Sequence, residues 1–201
     1  MPKYTTTSIN AATADLNSLR QLLLDLFARL GYFEGDFVLS SGLPSSYYLN
    51  GKLVTLTADG ALAVGRLLLN MLPEGTEAVA GLTLGADPIV TAVSVVSAYE
   101  NQPVSALIVR KEAKGHGTQA YIEGPSLSGG AKVVVLEDVV TTGRSAMLAV
   151  ERLRAVGYTV EEVIALVDRE QGGAEFYQSQ GLKFKPLFKI TEIKEYKSSA
   201  S

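Results

Sequence analysis

From residue 58 onward, the chain alternates amphipathic stretches with short apolar runs, and this pattern most constrains its fold. Helical periodicity covers about 58–71, 87–99 and 143–156, and continuous apolar runs include VVVLE at 133–137 and VIALV at 163–167. Apolar strands that alternate with helices form βαβ units, in which helices cover both faces of a parallel sheet. We therefore predict an α/β fold with a parallel sheet flanked by helices.

The residues before this pattern predict a small appendage. Residues 13–30 place leucines at steps of three and four, which is typical of an amphipathic helix, and Gly31 stands where a C-cap glycine would end it. The segment DFVLSSGLPSSYYLN carries two short apolar-aromatic runs around residues 41–45, which predict a β-hairpin. We expect one domain over residues 1–201, made of a helix-hairpin hood at about 13–56, a core at about 57–190 and a loose C-terminal tail.

Composition excludes several classes of function. The 201 residues include no Cys and one His, which excludes a disulfide scaffold, a thiolate metal site and a His-rich metal cluster. Eighteen Lys and Arg against 21 Asp and Glu give a net charge of −3, so we expect no nucleic-acid partner. The N-terminus lacks the apolar core of a signal peptide, and no apolar run reaches the roughly 18 residues of a membrane span. We therefore expect a soluble cytoplasmic protein without a membrane partner.

The strongest local signal is VVVLEDVVTTGRS at residues 133–145. A buried strand runs into Glu137 and Asp138, then into a hydroxyl-rich turn with a glycine, and then into a helix. Free N–H groups, hydroxyls and a helix dipole suit a phosphate dianion, whereas the carboxylates suit sugar hydroxyls or a hydrated Mg²⁺. The segment therefore predicts a ribose 5-phosphate site. The alternative is an ordinary helix capped by Thr141 or Thr142.

This segment resembles the signature with which type I phosphoribosyltransferases bind 5-phosphoribosyl 1-pyrophosphate (PRPP). The resemblance implies their fold, and it implies an Mg²⁺ ion that is bound mainly through PRPP and not by direct protein ligands. The residues that it assigns to PRPP are Glu137, Asp138, Val139, Val140, Thr141, Thr142, Gly143, Arg144 and Ser145.

A second signal is the positive charge concentrated after the strand predicted at 104–110. Residues 110–117 read RKEAKGHG, in which four side chains that can carry positive charge accompany one acid. In an acidic chain such a patch fits pyrophosphate. The alternative is a solvated charge run on a surface loop.

The same loop is similar to the mobile catalytic loop of orotate phosphoribosyltransferases, which commonly serves the active site of a neighbouring subunit. The similarity implies a homodimer, and it implies that Arg110, Lys111, Lys114 and His116 contact the pyrophosphate of PRPP. It also implies that Lys114, His116 and Asp138 are the catalytic residues. If a general acid assists pyrophosphate departure, the sequence does not choose between Lys114 and His116.

The chain departs from the family at two positions. Many members carry Lys where this chain has Ser40, and an aromatic-Lys pair where it has Leu84 and Gly85. Two cationic contacts with pyrophosphate are therefore absent. The glycines of GLTLGADP still permit close approach of backbone N–H groups.

The third signal is Asp168-Arg169-Glu170 at the end of VIALV. An Arg fork can hold a planar carboxylate, although a surface ion pair with either flanking acid is the alternative. The resemblance implies that Arg169 holds the carboxylate of orotate, that Thr141 also reaches orotate, and that Tyr48 of the hood covers the base. Tyr47 and Tyr48 could instead line the core of the hood itself.

The resemblance therefore implies transfer of the 5-phosphoribosyl group from PRPP to orotate, which gives orotidine 5'-monophosphate and pyrophosphate in pyrimidine biosynthesis. Two alternatives stay open: a phosphoribosyltransferase for another nucleobase, such as a purine, and a non-catalytic regulator that senses PRPP. The basic loop and Arg169 argue against a purine. A regulator would be expected to carry an added basic DNA-binding segment, and the acidic chain offers none.

Overall fold

The computed structural model describes residues 9–38, 44–113 and 121–199. Ser40, Lys114 and His116, on which expectations above depend, lie outside these residues. The elements in chain order are α1 (Leu16–Leu26) with a π-helical turn (Phe27–Gly31), β1 (Tyr32–Val38), β2 (Pro44–Leu49), α2 (Lys52–Thr55), α3 (Ala58–Met71), β3 (Ala78–Leu82), α4 (Asp87–Tyr99), β4 (Ser105–Val109), β5 (Ile122–Glu123), β6 (Val133–Val140), α5 (Arg144–Ala155), β7 (Glu162–Asp168), α6 (Gly173–Ser179), β8 (Lys183–Lys189) and α7 (Ile190–Ser199).

The central sheet of the described chain has the strand order β5-β4-β3-β6-β7-β8. Its neighbouring strands pair in parallel from β4 to β8, as predicted. The exception is β5, a strand of two residues that pairs antiparallel with β4. Because parallel strands place their carboxyl ends at one edge of a sheet, the segments that follow β4, β6 and β7 meet there.

Side chains of β6 alternate between two cores, as a strand covered on both faces requires. Val134 and Leu136 join the core that contains α1, α3, α4 and α7, whereas Val133 and Val135 join the core with α5 and α6. The two cores confirm the α/β prediction, with helices on both sides of a mostly parallel sheet.

Local signals explain where the helices begin. Thr57 precedes α3, and its Oγ1 accepts a hydrogen bond from the Gly60 N–H at 3.1 Å. In α4, Pro88 occupies the first turn, where its missing N–H is not needed. Asp15 caps α1 by accepting from the Ser18 N–H at 2.9 Å, so this helix begins at Leu16 and not at residue 13.

The hood is an antiparallel hairpin of β1 and β2 that follows α1, as predicted. Gly31, expected to cap the first helix, is instead the last residue of the π-helical turn. Asn50 donates its N–H to the Gly31 carbonyl at 2.8 Å, which joins the end of β2 to the start of β1. A Cβ at Gly31 would lie 3.3 Å from the Asn50 carbonyl oxygen, so a small residue suits the contact.

The prediction of a loose C-terminal tail is wrong for the described residues, because Ile190–Ser199 forms α7. Ile190 and Ile193 are buried in the core, and Lys197 donates from Nζ to the Ala28 carbonyl at 2.7 Å. These apolar contacts and the hydrogen bond from Lys197 hold the segment against the core. Its polar composition had given no sign of a helix. None of the helices in residues 9–38, 44–113 and 121–199 has the length and apolarity needed to cross a membrane.

Candidate active site

The turn between β6 and α5 forms one wall of the candidate site. Gly143 precedes α5 with a φ of +81°, and no side chain caps the helix. The alternative of an ordinary helix capped by Thr141 or Thr142 is therefore wrong. The hydroxyls and the free N–H groups at the start of α5 stay available, and together with the helix dipole they can bind an anion.

A cavity of about 700 Å³ opens at this turn, a volume suited to a small-molecule ligand. The turn, the end of β7 and the hood all contribute to its wall. The lining residues are Val38, Pro44, Tyr48, Glu137, Val139, Val140, Thr141, Thr142, Gly143, Arg144, Ser145, Ala146, Arg169, Gln171 and Tyr177. The fold thus brings most of the residues predicted for PRPP and all three predicted for orotate to one cavity.

The two acids predicted to act together do not occupy the same surroundings. Strand β6 extends to Val140, so Glu137 and Asp138 lie within the strand and not after it. Adjacent strand residues point to opposite faces, yet the charge of Asp138 still raises the pKa of Glu137, so the two carboxyl groups remain close to each other. Asp138 packs against the backbone of Gly85, where a Cβ would come within 2.7 Å of Oδ1, whereas Glu137 belongs to the cavity wall.

Glu137 is a buried carboxyl group, only 7% exposed, whose Oε2 has no hydrogen-bond partner among the residues that the structure describes. Its burial, followed by the nearby charge of Asp138, raises the pKa of the Glu137 carboxyl well above its usual value. The Lys111 ammonium acts in the opposite direction, which places this predicted PRPP residue within electrostatic reach of Glu137. Burial thus shifts the proton equilibrium of Glu137 toward its neutral form.

Tyr177 of α6 is a cavity residue that sequence reasoning missed. Its side chain is fully buried, and within the described ranges its hydroxyl has no hydrogen-bond partner. Its ring packs against Gly143, where a Cβ would lie 2.9 Å from Cζ. Burial and then the charges of Glu137 and Asp168 raise the pKa of the Tyr177 hydroxyl. No sequence motif predicted Tyr177, because its approach to Gly143 depends on how α6 packs against the turn between β6 and α5.

Arg169 at the carboxyl end of β7 is a buried cation, 7% exposed. Its Nε donates to the Tyr47 hydroxyl at 3.1 Å, and its Nη2 donates to Ser45 Oγ at 3.4 Å. Asp168 accepts from the Glu170 N–H, and Glu170 pairs with Lys189 at 3.6 Å. Within the described part of the chain Arg169 has no carboxylate partner, so the surface ion pair considered above is wrong.

The two tyrosines of the hood have different surroundings. Tyr47 is buried, and its ring contacts both the Arg169 guanidinium, at 4.5 Å, and Lys194 Nζ, at 4.2 Å. Tyr48 is 42% exposed on the cavity wall, with its ring 5.6 Å from that of Phe37. Tyr47 thus contributes to the core of the hood, whereas Tyr48 is the tyrosine that presents an aromatic surface to the cavity.

The described part of the basic loop lies at the end of β4. Arg110 forms an ion pair with Glu123, with 3.1 Å between Nη1 and Oε1, so it has a protein partner in addition to the predicted pyrophosphate contact. Lys111 is exposed. Lys114 and His116 lie outside the described residues.

The carboxyl oxygens of Asp138, and more weakly those of Glu137 because burial favours its neutral form, are donors of the kind that Mg²⁺ prefers. Over residues 9–38, 44–113 and 121–199, no group of three or more His, Cys, Asp or Glu forms a potential metal cage. The residues present therefore fit a hydrated ion that a phosphorylated ligand also holds.

This fold is that of a type I phosphoribosyltransferase, with a hydroxyl-rich turn between β6 and α5 and a hairpin hood that line one cavity. No family model matches the chain. An orotate phosphoribosyltransferase from Nostoc sp. is 73% identical over 184 residues, which are 92% of this chain and 89% of the relative. The Mycobacterium tuberculosis orotate phosphoribosyltransferase in complex with Fe(III) dicitrate has a TM-score of 0.78 and 38% identity, over 87% of this chain and 98% of that one.

The M. tuberculosis enzyme in complex with PRPP is also similar, with a TM-score of 0.73 and 34% identity over 88% of this chain and 99% of that one. Sequence identity and structural similarity both relate this chain to orotate phosphoribosyltransferases. The chain belongs to the orotate phosphoribosyltransferase family.

Proposed function

We propose that this chain transfers the 5-phosphoribosyl group of PRPP to a ring nitrogen of orotate and releases pyrophosphate. The observation that carries the choice of acceptor is Arg169, a buried guanidinium with no carboxylate partner in the described chain, on the wall of the cavity that contains the phosphate-binding turn. A buried cation is costly unless an anion pairs with it. The carboxylate of orotate supplies that anion, whereas adenine and hypoxanthine have no carboxylate.

The donor's 5-phosphate is assigned to the turn at residues 141–145. Its N–H groups, the hydroxyls of Thr141, Thr142 and Ser145, and the dipole of α5 all favour a dianion at this point. Arg144 adds a full positive charge on the cavity wall. One end of PRPP is thereby fixed relative to β6, and its ribose extends toward the acids of that strand.

Breaking the bond between the anomeric carbon and its oxygen develops positive charge on the ribose, as in glycoside hydrolysis. We assign stabilisation of this charge chiefly to Asp138, which is only half-buried. Glu137 is the weaker electrostatic partner because burial favours its neutral form, so we assign it a hydrogen-bonding role toward ribose hydroxyls. The reaction requires no covalent nucleophile.

The negative charge that develops on pyrophosphate needs cations at the other end of the cavity. We assign the stabilisation of this charge to Arg110 and Lys111, together with Lys114 and His116, whose roles stay predictions. When bound through PRPP, Mg²⁺ neutralises charge on the leaving group, and Asp138 and Glu137 are the described residues that would hold its water shell.

We also propose that two copies of this chain associate. An apolar groove of about 810 Å³ lies between α3 and α4, and its lining includes Leu56, Leu84 and Val95, which are 70%, 66% and 53% exposed. The groove reaches the Gly85 loop beside Asp138, so a second copy on it would lie next to the active site. Light scattering should give the mass of two chains, and Val95→Glu should shift it toward one.

The function is tested by measuring pyrophosphate release from PRPP and Mg²⁺ with orotate, uracil, hypoxanthine and adenine in parallel. We expect turnover with orotate and little with the other three bases. Turnover with a purine but not with orotate would overturn the choice of acceptor. PRPP binding without turnover on any base would favour a regulator.

A further inference from the structure

Arg152 of α5 makes three contacts outside its own helix, all with the chain that leaves β4 and returns as β5. Its Nη1 donates to the Arg110 carbonyl, its Nη2 donates to the Lys111 carbonyl at 2.9 Å, and its Cζ lies 3.9 Å from the centre of the Tyr121 ring. A guanidinium suits this task because it presents several donors in a fixed plane and stacks on aromatic rings. The Arg152 side chain therefore holds the described part of the basic loop.

The backbone that Arg152 binds is also held by hydrogen bonds and an ion pair between β4, β5 and the residues next to them. The Arg110 N–H donates to the Tyr121 carbonyl at 2.8 Å, which continues the pairing of β4 with β5. The Arg110 side chain pairs with Glu123 on β5. Because the backbone around Arg110 and Tyr121 is held together in this way, a displacement of Arg152 would move the chain there as a unit.

The same helix also carries the phosphate-binding turn. Helix α5 begins at Arg144, directly after the turn, and Arg152 stands eight residues further on, or about 12 Å along the helix axis. Ala146, Ala149, Val150 and Leu153 are fully buried and fix α5 on the sheet. The distance between the turn and the Lys111 carbonyl is therefore set by one rigid element.

We propose that Arg152 is a positioning residue that places Lys111 at a fixed distance from the phosphate-binding turn. The proposal rests on the proposed function, since PRPP carries a phosphate at one end and a pyrophosphate at the other and must span two cationic sites. Lys111 is already within electrostatic reach of Glu137 on the cavity wall. Arg152 does not line the cavity, so it acts through the backbone that it holds.

A purely structural tether is the competing explanation, and the chain contains a matched control for it. Arg154, two residues further along α5, donates from Nε and Nη2 to the Val160 carbonyl at 3.2 and 2.6 Å. It is the same residue type on the same helix and also binds a backbone carbonyl, but that carbonyl lies just before β7 and not in the basic loop. A structural role predicts that Arg152→Ala and Arg154→Ala behave alike.

The experiment compares Arg152→Ala, Arg152→Lys and Arg154→Ala for the Kd of PRPP by calorimetry, for the kinetic constants of both substrates, and for thermal stability. We expect Arg152→Ala to weaken PRPP binding and to lower kcat/KM for PRPP by about 10- to 100-fold, with the KM for orotate nearly unchanged. Arg152→Lys should recover part of the loss, because an ammonium can bind one carbonyl but cannot form the fork. Arg154→Ala should lower stability and leave both constants as in the wild type.

A double-mutant cycle isolates the connection to Lys111. If Arg152 acts through Lys111, Arg152→Ala should add little to the effect of Lys111→Ala on PRPP affinity. Additive effects, or equal PRPP affinity in Arg152→Ala and Arg154→Ala, would overturn the proposal. The Kd of PRPP does not require turnover, so a wild-type chain that binds PRPP but fails to use orotate would overturn the proposed acceptor and leave the Arg152 comparison decisive.

Discussion

The guanidinium of Arg169 lies 4.5 Å from the centre of the Tyr47 ring and donates a hydrogen bond from Nε to the hydroxyl of the same residue at 3.1 Å. Tyr47 therefore orients the cation but cannot neutralise it. Lys194 of α7, 4.2 Å from the centre of the same ring, adds a second positive charge beside the hood. Among residues 9–38, 44–113 and 121–199, no carboxylate pairs with the Arg169 guanidinium.

Arg169→Ala should raise the KM for orotate by about 10- to 100-fold, the range expected for a lost hydrogen bond to a charged group. The KM for PRPP should change little, because the phosphate-binding turn is untouched. Stability should stay the same or rise, since the substitution removes a buried charge that has no carboxylate partner in the described chain. Initial rates at varied orotate and a thermal melt check both parts.

The matched variant for this prediction is Tyr47→Phe, which keeps the ring under the guanidinium and removes only the hydroxyl that accepts from Nε. We expect a rise of up to about tenfold in the KM for orotate. An Arg169→Ala protein that loses stability but keeps its KM for orotate would show that Arg169 is a structural residue of the hood.

Glu137→Gln should make the protein more stable at neutral and alkaline pH. Burial raises the pKa of Glu137 in the folded state above its ordinary value of 4.5, so the folded protein holds this proton more tightly than the unfolded chain does. The contribution of this proton to the free energy of unfolding is fully present below about pH 4.5 and is lost as pH rises through the folded pKa. Between the unfolded and the folded pKa, the loss is about 1.4 kcal/mol for each pH unit. Glutamine is neutral at every pH, so its advantage should grow as pH rises from 4.5.

Urea unfolding over a series of pH values from mildly acidic to mildly alkaline measures this difference. Glu151→Gln, on the exposed side of α5, removes the same formal charge and serves as the control. Parallel pH profiles for wild type and Glu137→Gln would contradict the raised pKa of Glu137. Activity provides a second readout, because the amide keeps a hydrogen-bonding group but not the carboxylate.

Sequence patterns predicted the sheet and most helices because those elements carry their own local signals. Both bounds predicted for the helix at 87–99 agree with α4 (Asp87–Tyr99), and Pro88 in its first turn marks the start. The C-terminal helix was missed because only Ile190 and Ile193 of its residues are buried, which is too short an apolar pattern to stand out. Its stability comes from contacts with the core and with the Ala28 carbonyl, which are distant in sequence.

In the candidate site, too, local features could be predicted from the sequence and those that depend on distant contacts could not. The order of residues in the phosphate-binding turn was visible in the sequence because the whole motif is local. The different surroundings of Glu137 and Asp138 were not visible, since they depend on β6 continuing through both acids to Val140. The role of Tyr47 as partner of Arg169, and the position of Tyr177 behind Gly143, arise from packing between segments far apart in the chain.

Gly85→Ala should lower kcat by about 10- to 100-fold by displacing the Asp138 carboxylate. An added Cβ would lie 2.7 Å from Oδ1 and 3.0 Å from Oδ2, so either the side chain or the loop must move. Gly129→Ala is the control, because a Cβ there has no neighbour within 4 Å. Single-turnover rates with PRPP and orotate separate the chemical step from binding, and equal rates in the two variants would argue against a catalytic Asp138.

Tyr177→Phe tests whether the buried hydroxyl behind the phosphate-binding turn serves the ligand. The hydroxyl has no hydrogen-bond partner in the described part of the chain, so its removal should leave stability unchanged or raise it by about 1 kcal/mol. If the hydroxyl donates to Glu137 or to PRPP in the complex, kcat/KM for PRPP should fall about 3- to 10-fold. Tyr177→Ala is the contrasting variant, because loss of a fully buried ring should cost about 3–5 kcal/mol of stability. A Tyr177→Phe protein with the kinetic constants of the wild type would show that this tyrosine supports Gly143 by packing alone.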